Sequence, residues 1–150
     1  MTFQMVNSFE DVVDVLGGAK ALEDGELHSF FDFDRVIHAG VPIGAFQHAV
    51  DLIGGSEATI ATAIGIARTT LNRRKVSGRF VSEESERVVR LGLIVALGKQ
   101  ALGSTRAAGR WLVKPNRALG GRVPLELLQT DVGARQVEAV LGRALLGGYS

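Results

Sequence analysis

Glycine residues divide almost the whole sequence into short segments whose apolar side chains recur every three or four positions. The chain holds 19 glycines among 150 residues, and several stand just after such a segment, where helices commonly end. In "HSFFDFDRVIHAG", for example, Phe30, Phe33 and Ile37 are spaced three and four apart before Gly40. No segment shows the sustained alternation that is typical of a half-buried strand. The sequence therefore predicts an all-α fold.

The expected starts of the helices carry residues that are suited to those positions. Ser56, Ser82 and Thr130 each precede an apolar-periodic segment, and their side-chain oxygens can accept the free N–H groups of a first turn. We predict these three residues to be N-caps. Pro42 and Pro124 are predicted to be first residues of helices, where the missing proline N–H is not needed.

The longest segment, "SEESERVVRLGLIVALGKQALG", is apolar around most of its circumference, which predicts a central, buried helix. Composition changes at residues 98–104, and this change is taken as the boundary between two halves. No stretch rich in Pro, Ser or Gly is long enough to let the halves move freely. We expect the long helix to join them rigidly.

Composition excludes several classes of protein. The chain has no cysteine, which removes disulfides, thiolate nucleophiles and thiolate metal sites. The longest apolar run, "LGLIVALG", is too short to span a bilayer, and the N-terminus lacks the basic and apolar regions of a signal peptide. These features favour a soluble, cytoplasmic protein.

The net charge of +1 conceals a strong segregation of charge. Residues 1–60 hold two basic and ten acidic side chains, whereas residues 61–122 hold thirteen basic and three acidic ones. A basic region of this kind is expected where a protein contacts nucleic acid or another anion. We expect the acidic N-terminal region to lie on the opposite face.

The segment "SEATIATAIGIARTTLNRRKVSGR" has the layout of a helix-turn-helix, with Gly65 and Ile66 in the turn. The second helix is predicted to expose donors suited to phosphates and base edges. These candidate DNA-binding residues are Arg68, Thr69, Asn72, Arg73 and Lys75, with Arg74 and Arg79 as further phosphate contacts. The same pattern also fits a solvated basic face on a three-helix corner, and the residues alone leave both interpretations open.

Groups that could support catalysis or hold a metal are not recognisable. His28, His38 and His48 are ten residues apart, unlike the i, i+4 spacing of a helical metal pair. "NRALGGR" lacks the Lys-Ser/Thr of a phosphate-binding P-loop, and no nucleophile stands beside a base. We therefore expect no enzyme activity, no catalytic residue, no metal and no cofactor.

"WLVKPNRALGGRVPLELL", from Trp111 to Leu128, predicts a stiff corner between two helices. Proline disfavours helical geometry in the residue before it, and Asn116 can accept a hydrogen bond from a backbone N–H two residues later. Gly120 and Gly121 can adopt backbone angles that a side chain would forbid. The corner would hold Arg117 and Arg122 at fixed positions.

Several of these stretches, namely "TTLNRRK", "ESERVVRLG" and the whole segment from "AGRWLVKPNRALGG" to "EAVLGR", resemble the Xre/MbcA/ParS antitoxins, the partners of RES-domain toxins. The resemblance covers roughly residues 35–150. It implies an Xre-like helix-turn-helix region at 35–100 and a small helical toxin-binding domain at 101–150, with an unassigned acidic helical segment at 1–34. The residues that match the family signature are Trp111, Leu112, Pro115, Asn116, Leu119, Gly120, Gly121, Pro124, Leu125, Leu128, Thr130, Gly133 and Leu141.

The resemblance further implies a homodimer that covers the active site of an NAD-consuming RES toxin and binds the promoter DNA of its own operon. Candidate toxin-binding residues are Trp111, Asn116, Arg117, Leu119, Gly120, Gly121, Arg122, Arg143, Tyr149 and Ser150. Tyr149, which follows two glycines, fits either a plug for the toxin's cleft or a frayed chain end, and both interpretations stay open. The alternative is a free-standing transcription regulator without a toxin partner.

Overall fold

The computed structural model describes residues 9–147, which form ten α-helices and two short 3-10 turns and no β-strand. The first six helices are α1 (Phe9–Val15), α2 (Gly18–Leu22), α3 (Phe33–Ala39, after the 3-10 turn Phe30–Asp32), α4 (Ile43–Ile53), α5 (Glu57–Ala63) and α6 (Arg68–Ser77). The others are α7 (Ser82–Leu102), α8 (Thr105–Leu112), α9 (Pro124–Leu127, after the 3-10 turn Arg117–Leu119) and α10 (Asp131–Leu145). The predicted all-α fold is confirmed.

The 21-residue helix α7 forms the centre of the molecule, as its apolar circumference predicts. Helices α1, α3, α8 and α10 pack around it, and Leu91, Ile94 and Leu97 are fully buried. Burial of one such side chain contributes about 1.5–3 kcal/mol relative to an exposed position. The change in composition at residues 98–104 falls on the last turn of α7 and the turn after it. None of the described helices is both long enough and apolar enough to cross a bilayer.

The predicted N-caps are confirmed at two of three positions. Ser56 accepts the N–H of Thr59, and Thr130 accepts the N–H of Gly133. The prediction for Ser82 is wrong, because Ser82 is already the first helical residue.

At the start of α7 the cap is provided from inside the helix. The N-cap residue is Val81, and the Glu84 carboxylate accepts its N–H at 3.1 Å. Of the two prolines predicted to be first residues of helices, only Pro124 is confirmed, since it begins α9. Pro42 is the N-cap of α4 rather than its first residue.

The N-terminal helices belong to the same core as the rest of the chain. Val12 and Leu16 are fully buried, and α1 packs on α7 so closely that a Cβ on Gly92 would lie 2.9 Å from Leu16 Cγ. The rings of Phe9 and Phe33 contact each other with centroids 5.6 Å apart. The described part of the segment that the sequence leaves unassigned is therefore packed structure.

Candidate functional site

Helices α5 and α6 form the helix-turn-helix that the sequence predicts. Gly65 has a φ of +88°, in the left-handed region. The N–H of Ile66 donates to the carbonyl of Ala61 at 2.8 Å and closes the turn. Ile60, Ile64 and Leu71 are buried beneath it, so the outward face of α6 is held rigidly.

The face of α6 that points to solvent carries the predicted donors. The exposed ones are Arg68, Thr69, Asn72, Arg73 and Lys75. Arg68 and Arg73 have no carboxylate within ion-pair distance among residues 9–147, whereas Lys75 Nζ lies 2.8 Å from Glu57 Oε1. Two of the three cations on this face are thus free of internal carboxylates in the described part of the chain.

Arg74 does not point outward as a phosphate contact. Its guanidinium donates two hydrogen bonds to the Glu84 carboxylate, at 2.7 and 2.9 Å, and its side chain is 17% exposed. Burial favours a higher pKa for Glu84, but the hydrogen bonds from Arg74 and Val81 outweigh it and hold the pKa below its ordinary value. This pair ties the last turn of α6 to the first turn of α7, a role that the sequence analysis missed.

Arg79 is also engaged inside the molecule. It donates to the carbonyl of Gly40 at 2.7 Å and pairs with Glu23. The interpretation of Arg74 and Arg79 as free phosphate contacts therefore needs correction. Glu23 and Glu57, which contact predicted DNA-binding cations, also contradict the expectation that the acidic region lies wholly on the opposite face. No local sequence signal marks the contact of Glu23 with Arg79, since the two residues are 56 positions apart.

The corner between α8 and α9 has the geometry predicted from its prolines and glycines. Asn116 Oδ1 accepts the N–H of Ala118 at 2.9 Å. The backbone of Asn116 also accepts the N–H of Gly121 at 2.8 Å and donates to the carbonyl of Arg122 at 3.0 Å. Gly120 and Gly121 have φ values of +69° and +82°. The loop is closed by its own backbone.

Some of the predicted toxin-binding residues are exposed, and others are half-buried in the corner. The exposed ones are Arg117, Gly120, Gly121, Arg122 and, on α10, Arg143. The half-buried ones are Trp111, Asn116 and Leu119. The three arginines have no carboxylate within ion-pair distance in the described range. Tyr149 and Ser150 lie outside the described residues.

A groove beside the corner was not foreseen from the sequence. It has a volume of about 390 Å³ and runs between the corner and the start of α10, with Leu119, Arg122 and Val132 on its wall. Val132 is 71% exposed. The groove thus combines an exposed apolar side chain with a guanidinium group that has no carboxylate within ion-pair distance among residues 9–147.

The segment from α9 to α10 lies directly against the turn of the helix-turn-helix. Gln129 Nε2 donates to the carbonyl of Ala63 at 2.8 Å. From α7, Arg87 donates to the carbonyl of Gly65, and Arg90 to that of Leu128. The two candidate surfaces are therefore connected through short polar contacts.

Within residues 9–147, no group of three His, Asp or Glu residues could hold a metal ion. Two of the histidines contact backbone carbonyls instead. His38 Nδ1 lies 2.8 Å from the carbonyl of Asp34, and His48 Nδ1 lies 3.1 Å from that of Val15.

Two protein-family models match the chain in succession. Residues 32–92 match the antitoxin Xre-like helix-turn-helix domain, and residues 97–145 match the antitoxin Xre/MbcA/ParS C-terminal toxin-binding domain. The second description names a binding domain, in agreement with the expectation that the chain is not an enzyme.

Individual relatives of the chain are also named as antitoxins. A protein of Yersinia enterocolitica named antitoxin Xre is 36% identical over 96 residues, 63% of this chain and 65% of the relative. Proteins of that name from Pseudomonas putida and Photorhabdus laumondii are 34% and 26% identical, over 49% and 73% of this chain and 46% and 76% of the relatives. The match spans slightly less than two thirds of the Yersinia protein and about half of the Pseudomonas protein.

The two matched segments contain the helix pair, the central helix and the corner described above. The chain belongs to the Xre/MbcA/ParS antitoxin family.

Proposed function

We propose that this protein is the antitoxin of a type II toxin–antitoxin system and neutralises a RES-domain, NAD-consuming toxin by covering the entrance to its active site. The observation that carries the proposal is the match of residues 97–145 to a toxin-binding domain. The corner at residues 111–128 lies inside that match and is closed by its own hydrogen bonds.

The physical properties of the corner suit tight inhibition. A preformed loop loses less conformational entropy on docking than one that must first become ordered. Arg117 and Arg122 are exposed, and Arg122 lines the same groove as the apolar Val132, which gives the surface both charge and apolar area. Tyr149 and Ser150 remain proposed contacts on the basis of the sequence alone.

We also propose that the protein binds the promoter of its own operon as a homodimer. The support is the exposed face of α6, with Arg68, Thr69, Asn72, Arg73 and Lys75 available to phosphates and base edges. DNA binding would have to compete with Glu57 for Lys75, since that pair is already formed at 2.8 Å. Arg68 and Arg73 are therefore the cations expected to contribute most.

Reciprocal variants test both halves of the proposal. Arg117→Ala with Arg122→Ala should weaken binding of the RES-domain toxin and leave promoter affinity unchanged. Arg68→Ala with Arg73→Ala should weaken promoter binding and leave toxin neutralisation unchanged. Each pair removes two exposed positive charges, so each serves as the matched control for the other.

The measurements are toxin copurification and cell survival on co-expression, and promoter affinity at several salt concentrations. Each lost phosphate contact should reduce the slope of log affinity against log salt by about 0.9. A wild-type chain that binds promoter DNA but neither copurifies with the toxin nor protects cells would instead be a free-standing regulator.

A further inference from the structure

A single carboxylate on α10 is buried without any partner in the described part of the chain. Glu138 is 6% exposed and lines a half-open cavity of about 480 Å³ between α3, α7 and α10. No hydrogen bond or ion pair reaches it from residues 9–147. Burial raises the pKa of Glu138, although Arg135 opposes the shift. An unpaired carboxylate in such a place disfavours folding.

The other charged groups around the cavity are already engaged with one another. Arg135 Nε lies 2.9 Å from Asp131 Oδ2. Arg90 donates to the carbonyl of Leu128 at 3.0 Å and lies 3.9 Å from Glu86. The wall thus holds three carboxylates and two guanidinium groups. Glu86 and Asp131 each lie within 4 Å of a guanidinium group, whereas Glu138 has no such contact among residues 9–147.

The rest of the wall fits the stem of a long basic side chain. Ile37, Val89 and Leu93 line the same cavity. Lysine and arginine bury their methylene groups along apolar surface while the charged end seeks a carboxylate. The cavity therefore offers both an apolar channel and a buried anion.

We propose that this cavity receives a lysine or arginine side chain of the toxin, whose charged end pairs with Glu138. The inference rests on the proposed function. It is supported by the excess negative charge of the cavity and by the position of Glu138 and Asp131 within the segment that matches a toxin-binding domain. The contact is separate from the corner, since it uses the face of α10 that packs toward α3 and α7.

The arrangement predicts opposite effects of Glu138 on stability and on binding. In the free protein the carboxylate is desolvated and receives no hydrogen bond or ion pair from residues 9–147, so we expect its removal to do no harm to the fold. In the complex it holds a cation, and removal leaves that cation buried and unpaired.

Glu138→Gln tests the proposal, with Asp51→Asn as the control. Asp51 is an exposed carboxylate on α4, outside the corner at residues 111–128 and away from the wall of this cavity. Calorimetric titration with the purified RES-domain toxin should show a Kd at least about tenfold higher for Glu138→Gln. The denaturant midpoint of the free variant should be equal to or above that of the wild type. Asp51→Asn should change neither quantity.

An unchanged Kd for Glu138→Gln would overturn the proposal. So would a higher Kd accompanied by a lower midpoint of the free protein, because the carboxylate would then be a structural group. A wild-type chain that does not bind the toxin would remove the proposed function itself, and this contact with it.

Discussion

Glu84 and Arg74 connect the candidate DNA-binding helix to the centre of the molecule. The Glu84 side chain is 10% exposed and also caps α7 through the N–H of Val81. One carboxylate therefore fixes the end of α6 and the start of α7 together. The sequence predicted the exposed residues of α6 but not this one, because the ten-residue separation of the pair carries no periodic signal.

Glu84→Gln should make the protein less stable at neutral pH and flatten its loss of stability in acid. The pKa of Glu84 in the folded protein lies below its ordinary value of 4.5. At pH values between the two pKa values, the folded state therefore binds fewer protons than the unfolded state. The stabilisation is present above about pH 4.5 and is lost as the pH falls through the folded-state pKa. Denaturant unfolding between pH 3 and 7 measures it.

Glu83→Gln is the control for that experiment, since Glu83 is exposed on the same first turn. If both variants show the same pH dependence, the effect belongs to the helix terminus rather than to the pair with Arg74.

At the scale of elements, the sequence predicted which segments are helical better than it predicted their first residues. Ser56, Thr130 and Pro124 begin their helices as expected. The start of α7 differs by one residue because Ser82 and Glu84 can both satisfy a backbone N–H, and Glu84 is placed by Arg74. The first residue of α7 therefore depends on Arg74, ten positions before Glu84, and a local sequence pattern does not contain that contact.

The crossing of α4 and α8 depends on Gly109. A Cβ at this position would run into the carbonyl oxygen of Ile53 at the end of α4. Gly109→Ala should therefore lower the free energy of unfolding by about 1–3 kcal/mol, because backbone must move apart. Chemical denaturation followed by circular dichroism measures this change.

Gly44→Ala provides the matched control. Gly44 lies in α4, is exposed, and has nothing within 4 Å of the position of an added Cβ. Its substitution should leave stability unchanged or slightly higher, since alanine favours helix more than glycine does. Equal destabilisation by both substitutions would contradict the close crossing.

At the scale of the whole molecule, the two family-matched segments share one core. Helix α7 passes from the helix-turn-helix segment into the toxin-binding segment, and Gln129 contacts the turn at Ala63. The sequence predicted the rigid junction from the missing linker. The packing of residues 9–34 could not be predicted, since it depends on contacts such as Gln100 with Asp11, 89 positions apart.

A shared core predicts that a substitution in one half destabilises the other. Leu71 is 2% exposed in the helix-turn-helix, and Leu71→Ala should cost about 2–5 kcal/mol. Trp111, the single tryptophan, reports on the opposite half by fluorescence. The unfolding midpoint followed by Trp111 fluorescence should shift by the same amount as the midpoint followed by circular dichroism.

Val76→Ala is the control, because Val76 is 90% exposed on the same helix as Leu71. A Trp111 transition that stays at its wild-type midpoint in Leu71→Ala would show that the halves unfold separately.

The unbroken backbone of α7 also sets an angular relationship along the molecule. A helix of 21 residues is about 31 Å long, and each residue added to it would turn everything beyond by about 100°. The number of residues in α7 therefore sets the angle between the direction in which the corner faces and the outward side of α6. Across related chains, insertions in this helix should be tolerated only in lengths near whole numbers of turns.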